Sequence, residues 1–426
     1  MIDSKLLVDQ PDAVVAALAR KGVSSDVVLS ARDALIQQRS TLSEVETLRA
    51  EMNARSKQVG KLIAAKDPSA DTEREALADL KSRLAAGEAA LREAESKSRS
   101  LLLVLPNLPS PDAPDGLDES SNVVLRVEGP SSDKYNPADY RPHWDVAGDL
   151  GIFDPERAAK LSGSGFSLLY GDGARLIRAL AQFGLDLNRD TYLEVLVPHM
   201  VRREVFEGTG HLPKFAEDAY NTTLDDLWLI PTGEVPLTGL HRGELFDADE
   251  LPKRYMTYSS CFRREAGSAG KDTRGLQRLH EFHKVELVRI CTPETVQDEF
   301  DALLADAERP LQLLELPYRV LDLSAGDLTF SSTRIFDLEV YSPGVDRWLE
   351  VSSVGHFGDF QARRSNIRYR AGNGQTRPPH YLNGSALATP RMWAAIIEHG
   401  QRKDGTVELP EPLVPYMGKK VLEPRK

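Results

Sequence analysis

Two runs of heptad-spaced apolar residues, separated by one proline turn, limit what residues 26–105 can become. Val28, Leu35, Leu42 and Ile63 lie seven residues or a multiple of seven apart, with Ala31, Val45, Met52 and Val59 at the companion positions. This is the a/d pattern of a helix that packs along a second helix. Gln38, Arg49 and Ser56 interrupt it. "KDPSAD" (66–71) then places Pro68 where a helix must stop, and Leu77, Leu84, Leu91 and Leu105 restart the heptad with Leu80, Ala94 and Leu101 as partners. The spacing predicts two antiparallel helices of about 35–40 residues, each roughly 50–60 Å long at about 1.5 Å per residue. No other segment is long enough to cover them, so the hairpin is expected to be an exposed arm. Over its outer half Arg49, Arg55, Lys57, Lys61 and Lys66 stand against a lone Glu51. Such a basic edge suits phosphates, although a solvated coiled-coil face carries the same charges.

The stretch "PNLPSPDAPDG" (106–116) is proline-rich and polar and reads as a stiff linker. It would separate an N-terminal domain, 1–105, from a second domain, 117–426. There, short helical patterns such as 174–187 mix with β-type runs: "RYMTYSSCFRR", "HEFHKVELVRI", "FDLEVYS" and "RWLEVSS". Short loops between them, as in "FDLEVYSPGVDRWLEVSS", indicate hairpins and a largely antiparallel sheet. The fold class is α+β. No apolar run approaches the roughly 20 residues of a membrane span, and Asp3, Lys5, Asp9 and Asp12 break up what a secretion signal would need. Only two cysteines, Cys261 and Cys291, occur, which excludes a disulfide framework or a Cys-rich zinc site. A cytoplasmic location, without membrane, is expected. The net charge of -12 confines any nucleic-acid contact to a local basic patch.

Two arginines and a glutamate stand directly before a glycine-rich loop in "FRREAGSAGKDTRG" (262–275). The fragment "GSAGKD" is no P-loop, because Glu265 occupies the place of the first glycine and Asp272 that of the Ser or Thr after the lysine. Strand geometry offers more: residues two apart share a face, so Arg263 and Glu265 project together, as do His280, Phe282, Lys284 and Glu286 on the returning strand. An arginine fork suits phosphate or carboxylate, a phenyl face suits a base, and carboxylates accept from amino groups. A salt-bridged, solvated hairpin has the same composition.

The same stretch resembles motif 2 of the class II aminoacyl-tRNA synthetases and, in "EAGSAG-DTRGL…H-F-KVE", the seryl-tRNA synthetase family. "GTGHLPKF" (208–215), "LIPTGEVPLT" (229–238), "LPYRVLDLSAGDL" (316–328), "GDFQARRSNIRYR" (358–370) and "LNGSALATPR" (382–391) resemble that family in the same order. The resemblance implies a catalytic domain on an antiparallel sheet flanked by helices, a homodimer paired through "LEVLVP" (193–198) as motif 1, and a coiled-coil arm that grips tRNA(Ser). On that arm the basic edge makes Arg49, Arg55, Lys57 and Lys61 the expected tRNA contacts. The implied activity is ATP-dependent ligation of L-serine to tRNA(Ser), and to tRNA(Sec) where one exists. Arg263 would bind the α-phosphate and the serine carboxylate, Glu265 the adenine amine, and Phe282 would stack on adenine, with Arg264, Leu279, Val351 and Ser352 also around ATP. Arg391 is implied over the γ-phosphate. Glu350 and Ser353 would meet Mg²⁺ through ATP, and Glu350, Arg263 and Arg391 would form the catalytic set. Thr232, Gly233, Glu234, Glu286 and Ser385, with Arg263, would hold serine. Thr389 and Pro390 read locally as the cap and first position of a helix, which puts Arg391 in a first turn favourable to anions.

Gly233 stands where the family usually has alanine, which is expected to loosen the pocket floor slightly. "SSVGHFGDFQ" departs from the commoner "SSCSNFGDFQ" at Val354, Gly355 and His356, so the sensitivity of the site to serine analogues is open. His280 and His283 face opposite sides of a strand, which argues against zinc, and Cys261 reads as a packed strand residue. Lys419, Lys420, Arg425 and Lys426 read as a solvated tail. Two rivals stay open: a paralogue that loads a carrier protein, against which the complete arm counts, or feeds a biosynthetic pathway, and a non-catalytic protein that keeps the fold.

Overall fold

The computed structural model describes residues 1–266, 274–372 and 374–425. The chain forms two compact units, Ile2–Pro106 and one built on Asn107–Lys426. Most of the glycine-rich loop after Glu265 lies outside the described residues.

The first unit holds helices α1 (Ser4–Asp9), α2 (Pro11–Ala19), α3 (Ser25–Ala64) and α4 (Ala70–Leu103), with Pro68 in the turn between the two long ones. Val45 of α3 packs on Leu84 and Leu91 of α4. Two of the polar interruptions of the heptad find partners on the facing helix: Ser98 Oγ donates to Gln38 Oε1 at 2.5 Å, and Arg49 Nη2 lies 2.8 Å from Glu88 Oε1. The seam itself drifts. Leu42 and Ile63, expected inside, are 37% and 54% exposed, while Thr41 is buried and returns its hydroxyl to Gln37 O at 3.0 Å. A straight helix of 3.6 residues per turn leaves a strict seven-residue repeat behind within a few turns. The basic edge is also less free than expected, since Arg55 pairs with Glu51 and Glu73 at 3.1 and 3.5 Å. Lys57 and Lys61 are exposed.

The second unit is organised by an eight-stranded sheet: β1 (Val123–Glu128), β2 (Leu193–Glu194), β3 (Lys253–Phe262), β4 (Glu281–Cys291), β5 (Tyr318–Asp322), β6 (Arg334–Ser342), β7 (Arg347–Gly358) and β8 (His380–Ala388). The strand order is β1-β5-β6-β7-β8-β4-β3-β2, antiparallel at every pair except β2 with β3. Four helices matter to the site: α5 (Asp172–Asn188), α6 (Glu234–Gly239), α7 (Val296–Leu313) and α8 (Thr389–Gly400). Strand alternation divides β4 between two environments. Val285 and Leu287 enter the main core with Leu303 of α7 and Trp393 of α8. Val288 and Ile290 join a second apolar cluster with Tyr255 and Tyr381. On the face of Val288 and Ile290, nearer the start of β4, stand Phe282, Lys284 and Glu286, and there the sheet borders a cleft.

The segment 107–116, read as a stiff linker, does not hang free: Asn107 donates from its side chain to Ser331 O and Phe357 O at 2.8 and 2.7 Å, and Ala113 is buried with Leu321, Leu323 and Ile335. A proline-rich chain without internal hydrogen bonds has its polar groups available for such anchoring. The C-terminal stretch is no loose tail either, since Val421–Leu422 pairs with Val407–Glu408 and Lys419 Nζ lies 2.8 Å from Asp172. Cys261 and Cys291 are buried strand residues with free thiols.

A buried carboxylate ties one wall of the cleft to the core. Glu398 of α8 accepts from His143 N and Nδ1 at 3.0 and 2.8 Å, from Gly344 N at 3.0 Å and from the Ser342 hydroxyl. Burial pulls its pKa upward, but the hydrogen bonds from His143 and Ser342 hold it below the ordinary value. His143 in turn accepts from Leu276 N through Nε2 at 2.9 Å, and the next carbonyl, that of Gln277, accepts from Arg391. Glu398→Ala would orphan several buried donors at once, and unfolding in urea is expected to show a loss of about 3–5 kcal/mol.

Candidate active site

The cleft measures about 550 Å³. Its walls come from segments far apart in the chain. β3 ends at Phe262, and Arg263 continues the pairing for one residue by donating its N–H to His280 O at 2.9 Å. Glu265 departs from strand geometry, with φ 53°, and yet lines the same cleft as Arg263. Its carboxylate is held 2.6 Å from Arg278 Nη1. The Arg263 guanidinium lies over the Phe282 ring, 5.0 Å from its centroid, and Nε donates to Pro231 O at 3.3 Å. A planar cation and an aromatic face therefore stand together at one wall.

The facing wall depends on a β-bulge. Glu350 lies opposite Glu339, whereas Ser352 lies opposite Leu338, so Val351 is an extra residue on β7. As a result Glu350, Val351 and Ser353 line the cleft, while Ser352 is buried behind it and donates its hydroxyl to Ser385 O at 2.7 Å. Arg391 comes from the first turn of α8. Its Nη1 lies 3.4 Å from Glu350 Oε2 and donates to Glu350 O at 2.5 Å, while Nε donates to Gln277 O at 3.2 Å. The cap of that helix is Ala388, one residue before the expected Thr389, whose hydroxyl instead donates to His283 O at 2.9 Å. Desolvation works to raise the Glu350 pKa, but the Arg391 and Arg263 charges hold it below the usual carboxylate range. Behind it, Asp337 is pushed well above that range by burial and by the Glu350 charge.

A third group is polar and buried. Thr232 Oγ1 donates to Glu286 Oε2 at 3.1 Å and accepts from Glu234 N at 3.2 Å. Gln361 Nε2 donates to Glu234 Oε1 at 2.6 Å. Burial, helped by the nearby Glu286, raises the Glu234 carboxyl from the ordinary 4.5 to about 7. Glu286 is raised too by burial, against the pull of its ion pair with Lys284. Asn383 and Ser385 of β8 complete this end. The cleft thus offers two arginines at separate points for an extended anion, an aromatic face, and acceptors for a cationic, hydroxylated small molecule.

A family model for the seryl-tRNA synthetase N-terminal domain matches residues 1–109, and one for the tRNA synthetase class II core domain (G, H, P, S and T) matches residues 217–400. A serine--tRNA ligase of Gemmatimonas aurantiaca is 47% identical over 99% of this chain and 100% of its own. The chain belongs to the seryl-tRNA synthetase family. Among solved structures, seryl-tRNA synthetase from Pyrococcus horikoshii complexed with ATP superposes with a TM-score of 0.91 at 35% identity, covering 100% of both chains. The cytoplasmic serine-tRNA ligase of Naegleria fowleri in complex with AMP gives 0.87 at 26% identity, over 100% of this chain and 99% of that one.

In this chain, Arg263, Glu265, Leu279, Phe282, Glu350, Val351, Ser353, Arg391, Thr232, Glu234, Glu286 and Ser385 all line the one cleft. Arg264, Gly233 and Ser352 do not. Arg264 is exposed and tied through its N–H to Asp218 O at 2.8 Å. Gly233 sits behind the wall, and the expected loosening is not found: the γ-methyl of Thr257 lies 2.6 Å from where a β-carbon would be. Sequence reading put Lys284 on the face of Phe282 and Glu286 without giving it a role, and passed over Arg278, Gln277, His211 and Asn383; all five also line the cleft. His211 and Asn383 fall inside stretches quoted for the family likeness, but nothing in their spacing marked them as facing a ligand. Of the departures from the family pattern, Val354 is core, Gly355 lines the cleft, and His356 packs beside His380, 3.4 Å away, and Phe300. His283 stacks on Tyr258 and His280 packs on Phe166, on separate surroundings.

Proposed function

We propose that the chain joins L-serine to tRNA(Ser), and to tRNA(Sec) where a cell makes one, through a seryl-adenylate. The observation that carries this reading is the convergence of Arg263, Glu350 and Arg391 on one cleft whose other end holds Thr232, Glu234 and Glu286. A serine carboxylate oxygen attacks the α-phosphorus of ATP, the bond to the β-phosphate oxygen breaks, and diphosphate leaves. A ribose hydroxyl at the tRNA end then attacks the seryl carbonyl carbon, and AMP leaves. Arg263 pairs with the carboxylate and the α-phosphate, which aligns them and offsets their mutual repulsion. Arg391 holds the γ-phosphate. Phe282 takes the adenine face once the Arg263 guanidinium swings from its ring to phosphate, and Glu265 accepts from the adenine amine. The donors Glu350 and Ser353, one carboxylate and one hydroxyl, suit Mg²⁺ carried mainly by phosphates, and the ion would supply charge neutralisation there. The serine ammonium and hydroxyl are met by Glu234, Glu286, Thr232 and Ser385.

Pairing of two copies through the edge beside β2 fits the exposed Leu193 and Leu196, 65% and 91% accessible. No helix among the described residues is long and apolar enough to cross a membrane, and a cytoplasmic location is part of the proposal. The decisive assay is ATP–pyrophosphate exchange with serine, threonine, alanine and glycine, followed by charging of purified tRNAs. Serine should lead by about 10²-fold or more. A preference for another amino acid, or no exchange, would end the reading.

Glu234 links this function to stability. With a carboxyl pKa raised by burial to about 7, the folded protein keeps a proton that the unfolded chain loses near 4.5. Stability therefore falls as pH rises between those values and the deficit persists above them. Glu234→Gln is expected to raise the unfolding free energy at pH 8 by about 1–3 kcal/mol, with little change at pH 5, while serine KM rises. Equal effects at both pH values would contradict the assignment.

A further inference from the structure

Gly233 lies between two residues of the serine end, Thr232 and Glu234, in right-handed helical backbone with φ -62° and ψ -18°. Any residue adopts that conformation, so glycine is not needed there for backbone freedom. Space accounts for it. A β-carbon at 233 would come 2.6 Å from Thr257 Cγ2, 3.0 Å from Glu286 Cβ and 3.4 Å from Ser259 Oγ. These neighbours have little room to yield. Thr257 is fully buried on β3, and a β-branched side chain is stiff at χ1. Glu286 is its direct partner across the β3–β4 ladder and is 2% exposed. The Thr257 hydroxyl finds no hydrogen-bond partner among the described residues. A buried, unpartnered hydroxyl costs stability, so what recommends threonine at this place is its shape.

We propose that Gly233 and Thr257 are an interlocking pair beneath the serine end of the cleft. The Thr257 γ-methyl fills the volume that a β-carbon at 233 would need, and it fixes Glu286 and the Thr232–Glu234 turn at a spacing suited to a serine-sized side chain. Thr257 is thereby a positioning residue for specificity, although it touches no substrate. This rests on the serine reading of the cleft.

The test is a cycle of full-length wild type, Gly233→Ala, Thr257→Ala and the double variant. Serine and threonine kinetics in ATP–pyrophosphate exchange are read beside melting temperatures. Gly233→Ala should raise serine KM by about tenfold or more with a smaller change in kcat, because the clash moves Glu286 and Thr232 rather than the arginines. Thr257→Ala leaves a void behind Glu286 and should lower the preference for serine over threonine by about fivefold. The double variant should recover most of the KM lost in Gly233→Ala. If Gly233→Ala fails to fold while the double variant folds and exchanges, the pairing is upheld. Additive effects, or an unchanged serine KM in Gly233→Ala, would overturn it. So would an inactive double variant beside an active Thr257→Ala. Wild type that ignores serine would instead remove the serine reading, and the melting-temperature cycle alone would then decide whether the two residues interlock.

Discussion

Replacing Arg263 with alanine is expected to abolish serine-dependent exchange between ATP and pyrophosphate, a fall of about 10³-fold, without unfolding the protein. The side chain is exposed, and among the described residues its contacts are one hydrogen bond of 3.3 Å to Pro231 O and its place over Phe282. Truncating such a residue costs little, and the melting temperature should move by no more than about 2 °C. Catalysis is another matter. With no enzyme nucleophile in the proposed reaction, rate depends on aligning two anions that repel each other, and Arg263 is the cation that the proposal sets against both. Arg263→Lys should recover little, because an ammonium cannot bridge carboxylate and phosphate as a planar fork does. Near-normal exchange in Arg263→Ala would remove the role assigned to it.

Much of the site was legible because its residues fall on strands whose alternation can be read directly: Phe282, Lys284 and Glu286 share a face for that reason alone. The antiparallel sheet was legible from short loops between β-type runs, and the long helices from their heptads. What escaped reading was irregular backbone. The bulge at Val351 turns Ser352 away while keeping Glu350 and Ser353 together, and no local pattern in "LEVSS" announces an extra residue. Glu265 reaches the cleft through a left-handed backbone where the strand reading supposed a continuing β conformation. Long-range partners escaped for a different reason. Glu88 opposite Arg49, and Thr257 beneath Gly233, are choices made across helix and sheet contacts that one chain read in order cannot reveal.

Shortening the helical hairpin should separate the two halves of the reaction. Removing residues 41–95 and closing the gap with a short glycine-rich turn keeps register, because the Gln38–Ser98 hydrogen bond marks where α3 and α4 face each other. Serine-dependent exchange should stay within about threefold, since the second unit carries its own core and every residue that lines the cleft. Charging of tRNA should fall by about 10³-fold or more. A chain of net charge -12 repels RNA except at a local basic surface, and α3 is 40 residues long, about 60 Å of scaffold for one. Because Arg49 and Arg55 are already paired with carboxylates, the exposed Lys57 and Lys61, with Lys66 at the tip, are the side chains of that edge best placed to meet phosphates. Lys57→Glu with Lys61→Glu should therefore weaken charging at low salt and flatten the dependence of log K on log salt by about one to two units. If the shortened chain charges tRNA as well as the intact one, the hairpin does not hold the nucleic acid. If the double lysine variant keeps the full salt slope while the shortened chain fails, recognition rests on the shape of the hairpin and the basic edge is only a solvated face.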